Sequence, residues 1–193
     1  MVVTYTDRMG ETYYLHEGRT KTGKVRYFVA KTIREGALSA MPDGYEITES
    51  INGVVSVRRV DPSALKVPEA DLVLARAELG RHAHLRRHRI EALGGELVVF
   101  EPRGGASLTE MSDSFFPWGL RVPGDRPGDP PRRVRYDPVM KLVLTPQRGI
   151  YNLHRMTYRG DGGWSWPLGS GPLEKLLERY LGLVGTDELF ELY

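Results

Sequence analysis

The chain has 193 residues, a formal net charge of +2 and no cysteine. That length permits one domain or two small ones without disulfide support, and the missing cysteine excludes thiolate-ligated zinc, iron–sulfur clusters and thiol nucleophiles. A net charge this small excludes a polyanion-binding function argued from bulk charge, so an electrostatic function has to come from how the charges are distributed.

Residues 1–62 read as a β-rich unit, because short Tyr, Val, Ile and Thr runs alternate with turn residues. Expected strands are 2–6, 11–17, 24–31, 45–50 and 54–60. Asn52-Gly53 predicts a two-residue hairpin turn that sets Glu46 across from Arg59 as a cross-strand ion pair. The stretch REGALSAM, 34–41, predicts one or two helical turns stopped by Pro42-Asp43-Gly44.

Residues 63–103 form a helix and a hairpin. EADLVLARAEL, 69–79, has Leu72, Ala75 and Leu79 at helical spacing, with acids in its first turn and Gly80 as its stop. Two β runs then flank Gly94-Gly95. The segment 104–131 is dense in Gly and Pro yet carries Phe115, Phe116 and Trp118, which predicts an irregular excursion with an aromatic anchor. Residues 132–193 complete the chain: a hairpin turning at PQRG, a helix from about Pro172 to Gly182 with Leu173, Leu176, Leu177, Tyr180 and Leu181 on one face, and a short helix over 187–192 capped by Thr186. No internal repeat is apparent. The fold class is α+β: an antiparallel β-rich N-terminal unit, a central helix plus hairpin, and a C-terminal hairpin covered by helices.

Charge is clustered. Arg19, Lys21, Lys24, Arg26, Lys31 and Arg34 follow one another without an acid between them, RHAHLRRHR at 81–89 holds Arg81, Arg86, Arg87 and Arg89 among three histidines, and RRVR stands at 132–135. The last twenty residues are acidic in balance. Within the first cluster, GRTKTGKV at 18–25 matches a phosphate-binding loop except that Val25 replaces the magnesium-holding Ser or Thr. A β-type run comes after Lys24 where that loop needs a helix, so the expectation is a basic hairpin tip.

His84 and His88 have the spacing of a metal pair on a helix. With the helix stopped at Gly80 and the later residues assigned to the next strand, the two side chains stand about 13 Å apart and no metal is expected. His16 and His154 are isolated among β-type residues and read as hydrogen-bonded or surface histidines. Ser114 and Ser170 lack a nucleophile elbow or neighbouring base, and spacing brings no two of Asp113, Asp137 and Asp161 together. No catalytic residue and no cofactor is assigned. Trp164 and Trp166 lie in YRGDGGWSWPLGSGP, 158–172, and together with Trp118 are the candidate anchors for a protein partner.

No apolar run approaches the roughly 20 residues that span a bilayer, and MVVTYTDRMGETYY lacks a basic stretch followed by a hydrophobic one. The expectation is a cytoplasmic protein with no membrane partner. The opening TDRMGETYYLHEGRTKTGKVRYFVAK, the PDGYEI turn and the ending GPLEKLLERYLGLVGTDELFELY resemble an uncharacterised family of bacterial proteins of unknown function. That resemblance covers both ends of the chain, leaves out 104–131, and brings no site residues. The expected function is non-catalytic nucleic-acid binding, with Arg19, Lys21, Lys24, Arg26, Arg81, Arg86, Arg87 and Arg89 on phosphate and Tyr27 as a stacking ring. The alternatives are a protein-interaction or regulatory module and an enzyme acting on an anionic small substrate.

Overall fold

A computed structural model describes residues 1–103, 134–157 and 163–191. Trp118, with Phe115, Phe116, Asp113 and Ser114, lies outside the described residues, as do Asp161, Arg132 and Arg133. The protein is α+β with antiparallel sheets. It divides into two compact units, Met1–Ala64 and Leu65–Tyr193.

The first unit contains a three-stranded sheet, β1 (Thr4–Thr6), β2 (Thr12–Arg19) and β3 (Val25–Ala30), and a two-stranded sheet of β4 (Tyr45–Glu49) and β5 (Val55–Arg59). Its three hairpins use one turn. Asp7, Thr20 and Ser50 each pair their backbone N–H with the carbonyl four residues later, at 2.9, 2.8 and 3.0 Å. Each also accepts that later residue's N–H on a side-chain oxygen: Glu11 on Asp7 Oδ1 at 2.9 Å, Lys24 on Thr20 Oγ1 at 3.1 Å and Val54 on Ser50 Oγ at 3.1 Å. The fourth residue is always glycine, at φ 82° (Gly10), 80° (Gly23) and 75° (Gly53), in the left-handed region that a Cβ disfavours. DRMGE, TKTGK and SINGV are therefore three copies of one motif. The sequence hides it because only the polar first residue and the glycine are needed.

This turn corrects the predicted register. A three-residue loop, Ile51-Asn52-Gly53, replaces the two-residue one, which slips the pairing by one position so that Glu46 opposes Arg58 and Tyr45 opposes Arg59. The ion pair forms between Glu46 and Arg58. The stretch 34–41 is also not helical, because Ala37 bridges to His16 and Leu38 exchanges backbone hydrogen bonds with Leu15 and Val3 along the edge of β2. Sheet pairing satisfies those amides in place of a helical turn.

The second unit is a five-stranded meander in the order β10 (Gly169–Pro172), β9 (Ile150–Arg155), β8 (Tyr136–Leu144), β7 (Glu96–Pro102) and β6 (Arg89–Leu93). It is packed by α1 (Glu69–Arg81) and α2 (Leu173–Tyr180), with the short α3 (Glu188–Glu191) near the end. One face of each long helix enters the core: Leu72, Ala75 and Leu79 from α1, and Leu173, Leu176, Leu177 and Tyr180 from α2, against Leu97, Val99, Met140, Leu142, Tyr151 and Leu153 of the sheet. The Tyr151 hydroxyl donates to Asp71 in the first turn of α1 at 2.6 Å, and burial, reinforced by that carboxylate, raises its pKa far above the ordinary phenol value. Pro138 sits inside β8 where the register with β7 shifts at Val99/Phe100, a break that tolerates the missing N–H.

Two boundaries differ from expectation. Helix α1 runs through Gly80 to Arg81, since a glycine with helical dihedrals costs only about 1 kcal/mol in a helix. Thr186 does not cap α3; its hydroxyl donates backwards to the Leu183 carbonyl at 2.8 Å.

Candidate functional site

The hairpin joining β2 to β3 carries four basic side chains, Arg19, Lys21, Lys24 and Arg26. Turn geometry decides where its side chains go. Arg19 opposes Val25 and Gly18 opposes Arg26 across the strands, and Lys21 and Lys24 occupy the loop. All four cations are exposed, and none forms an ion pair with a carboxylate among the described residues. Arg19 donates to the Gly23 carbonyl at 3.3 Å, which ties its stem to the loop. Farther along the basic run Lys31 is already paired with Glu11. The nearest acid in sequence on the hairpin is Glu17, exposed and opposite Tyr27.

Lys24 leads directly into strand β3, with no helix to point amides at a phosphate, so GRTKTGKV is a hairpin and not a nucleotide cradle. Strand alternation separates the rings behind it. Tyr27 turns to one face and meets Tyr45 edge-on at 4.7 Å, so it is not the aromatic at the tip. Phe28 turns to the other face: Arg26 lies 5.1 Å over its ring, His16 stacks on it at 5.3 Å, and its edge fills the space left by Gly18, where a Cβ would come within 3.1 Å. Sequence reasoning missed Phe28. The Gly18–Arg26 opposition that exposes its role depends on the loop length.

His16 is fully buried beneath this face. Its Nε2 accepts the Arg34 N–H at 3.0 Å, which leaves Nδ1 as the donor to the Tyr14 carbonyl at 2.8 Å. Both nitrogens are engaged, so His16 fastens the 34–37 segment to β2 and has no lone pair left for chemistry. Gly36 completes the clasp: at φ 84° its Cβ position would lie 2.4 Å from the Glu17 carbonyl oxygen.

The second basic cluster is a corner between α1 and β6. His82 ends the helix, Ala83–Leu85 form one 3₁₀ turn, and His88 returns its N–H to Leu85 at 2.8 Å. His84 and His88 thus sit on a turn and not on a strand, because Leu85 must reach the core and bends the chain there. The arginines differ. Arg81 is paired with Glu78 at 2.6 Å and lines an open groove of about 440 Å³ with Glu174 and Glu178, an acidic setting that offsets its charge. Arg86 and Arg87 are exposed without an ion pair among the described residues, and Arg89 lies 6.0 Å over the Tyr136 ring. The expected set of eight phosphate-facing cations thus contains one, Arg81, that the fold has already neutralised.

Elsewhere the aromatic pair separates. Trp164 covers the Lys141 ammonium at 4.8 Å, while Lys141 itself pairs with Glu96 at 2.8 Å. Trp166 is 89% exposed. His154 holds its Nδ1 against the Ser165 carbonyl at 2.9 Å. Asp137 is held by both ends of the Arg103 guanidinium, at 2.8 and 2.9 Å; Glu101 beside it has its pKa raised by burial and then by the Asp137 charge. Among the described residues no three His, Asp or Glu side chains converge as a metal site, and no helix is long and apolar enough to cross a membrane. No protein-family model, curated protein or solved structure matches the chain.

Proposed function

We propose that the protein binds nucleic acid through the tip of the β2–β3 hairpin and performs no reaction on it. The observation that carries this reading is the set Arg19, Lys21, Lys24 and Arg26, exposed and without a carboxylate partner among the described residues, on a turn held by its own backbone and side-chain hydrogen bonds. A turn held in this way spends little ordering entropy on binding. The two arginines suit forked contacts to phosphate oxygens, and the two lysines act as point charges. Backed by the Phe28 ring, Arg26 also offers a flat cation on which a base can stack. Arg86 and Arg87 are a secondary contact on the same chemistry.

Binding of a random-sequence oligonucleotide followed by fluorescence anisotropy tests the reading. Each phosphate contact adds a slope of about −0.7 to −0.9 in log affinity against log salt, so three or four contacts predict a slope of about −2 to −4. Lys21→Glu with Lys24→Glu should reduce affinity by about thirtyfold at low salt. Affinity that is flat with salt, or unchanged in this variant, overturns the proposal. A protein-interaction reading rests on one observation, the exposure of Trp166; a stable protein partner lost on Trp166→Ala and kept in the charge-reversed variant would favour it.

A further inference from the structure

Two of the three histidines of the corner between α1 and β6, His82 and His88, are placed against the C-terminal segment. A Cβ on Gly182 would come 3.2 Å from His82 Cε1, and one on Gly185 would come 4.0 Å from His88 Nε2. Gly182 thus lets the chain after α2 close tightly on the His82 ring, while Gly185 meets His88 at ordinary contact distance and is required by its φ of 80°. His82 Nε2 and both ring nitrogens of His88 are shielded from solvent, and the backbone of Leu85 is set against the His88 ring. The segment that covers them is anchored by apolar contacts, with Leu181, Val184 and Leu189 fully or almost fully buried, and by Phe190, whose ring lies 5.8 Å from the Arg155 guanidinium.

We propose that this corner is an acid-sensitive latch: protonation of His88 places a cation under residues 181–185, which carry no acid to pair it, and residues 181–191 let go. The ionisable groups around it are few. From α1, Glu78 approaches His82 Nε2 at 3.9 Å and is already bound to Arg81. The corner itself adds His84, whose ring meets that of His82 edge-on at 5.8 Å, together with Arg86, Arg87 and Arg89, the last donating to the His88 carbonyl at 3.0 Å, so a proton on His88 arrives among like charges. Leu181–Thr186 carry no ionisable side chain, and Asp187 is the first acid beyond them. The His88 pKa is accordingly lowered, by burial first and by His84 second, against the smaller opposing pull of the Leu85 backbone. The unfolded chain therefore holds the proton more readily than the folded one. Stability is complete above the ordinary histidine value of 6.5 and is lost as pH falls through the lower folded-state value.

Hydrogen exchange on the full chain tests the latch without any substitution. After correction for the intrinsic pH dependence, the amides of 181–189 should exchange about tenfold faster at pH 5.5 than at pH 7.5, while those of β7 and β8 keep their protection. Urea unfolding of His88→Gln, whose side chain does not titrate, should lose most of the wild-type fall in midpoint between these pH values. The reference is each protein's own midpoint at pH 7.5, so a general loss of stability in the variant does not enter. Unchanged protection of 181–189 in the wild type, or a full acid-induced fall in His88→Gln, overturns the proposal.

Discussion

The hairpin at 19–26 and the corner at 81–89 hold four lysines and arginines each, yet among the described residues the hairpin keeps all four without a carboxylate partner while the corner loses Arg81 to Glu78. On the hairpin, the strands and the loop between them leave all four cations exposed, and the one ring set against them among the described residues is that of Phe28. At the corner, helix α1 brings Glu78 to Arg81, Leu85 is drawn into the core, and two imidazoles are covered by the C-terminal segment. Equal basic composition therefore does not give equal available charge. The deciding factor is whether the backbone that carries the cations also delivers acids and apolar cover.

Breaking the hairpin's support should have the largest effect. Gly36→Ala adds a methyl in left-handed backbone, at about 1–2 kcal/mol, and drives it into the Glu17 carbonyl, at about 1–3 kcal/mol more; a loss of about 3 kcal/mol or more is expected in urea unfolding. Next comes the Lys21→Glu, Lys24→Glu pair, whose thirtyfold loss of oligonucleotide affinity is about 2 kcal/mol. Gly23→Ala separates conformation from crowding, since Gly23 shares the left-handed φ of Gly36 but its Cβ would meet nothing within 4 Å. Its expected cost is about 1 kcal/mol in the same unfolding measurement, all of it backbone strain. The smallest effect is reserved for the corner: Arg86→Glu with Arg87→Glu should weaken oligonucleotide binding by about threefold at the same salt. A loss at the corner equal to that at the hairpin would erase the distinction.

Where local chemistry suffices, the sequence was readable in detail. The strands of the first unit lie within a residue or two of their predicted ends, and the apolar stripes of α1 and α2 are the ones that enter the core. The Gly94-Gly95 hairpin also forms as read, with Leu93 opposite Glu96. The Glu46 partner was misplaced by one residue because Asn-Gly supports turns of two lengths, and the longer one was chosen by the Ser50 hydroxyl that caps it.

The sequence by itself determined the α+β class, the basic hairpin tip and that GRTKTGKV leads into a strand and not a helix, since these rest on side-chain periodicity and on the strand-forming run that begins directly after Lys24. Only the tertiary structure decided which basic residues stay free, that Phe28 and not Tyr27 backs Arg26, and that His16 spends both nitrogens as a clasp. Those outcomes depend on partners such as Glu78, Arg34 and Gly185 and on strand register, and pairing across the chain is set by packing, not by neighbours in sequence.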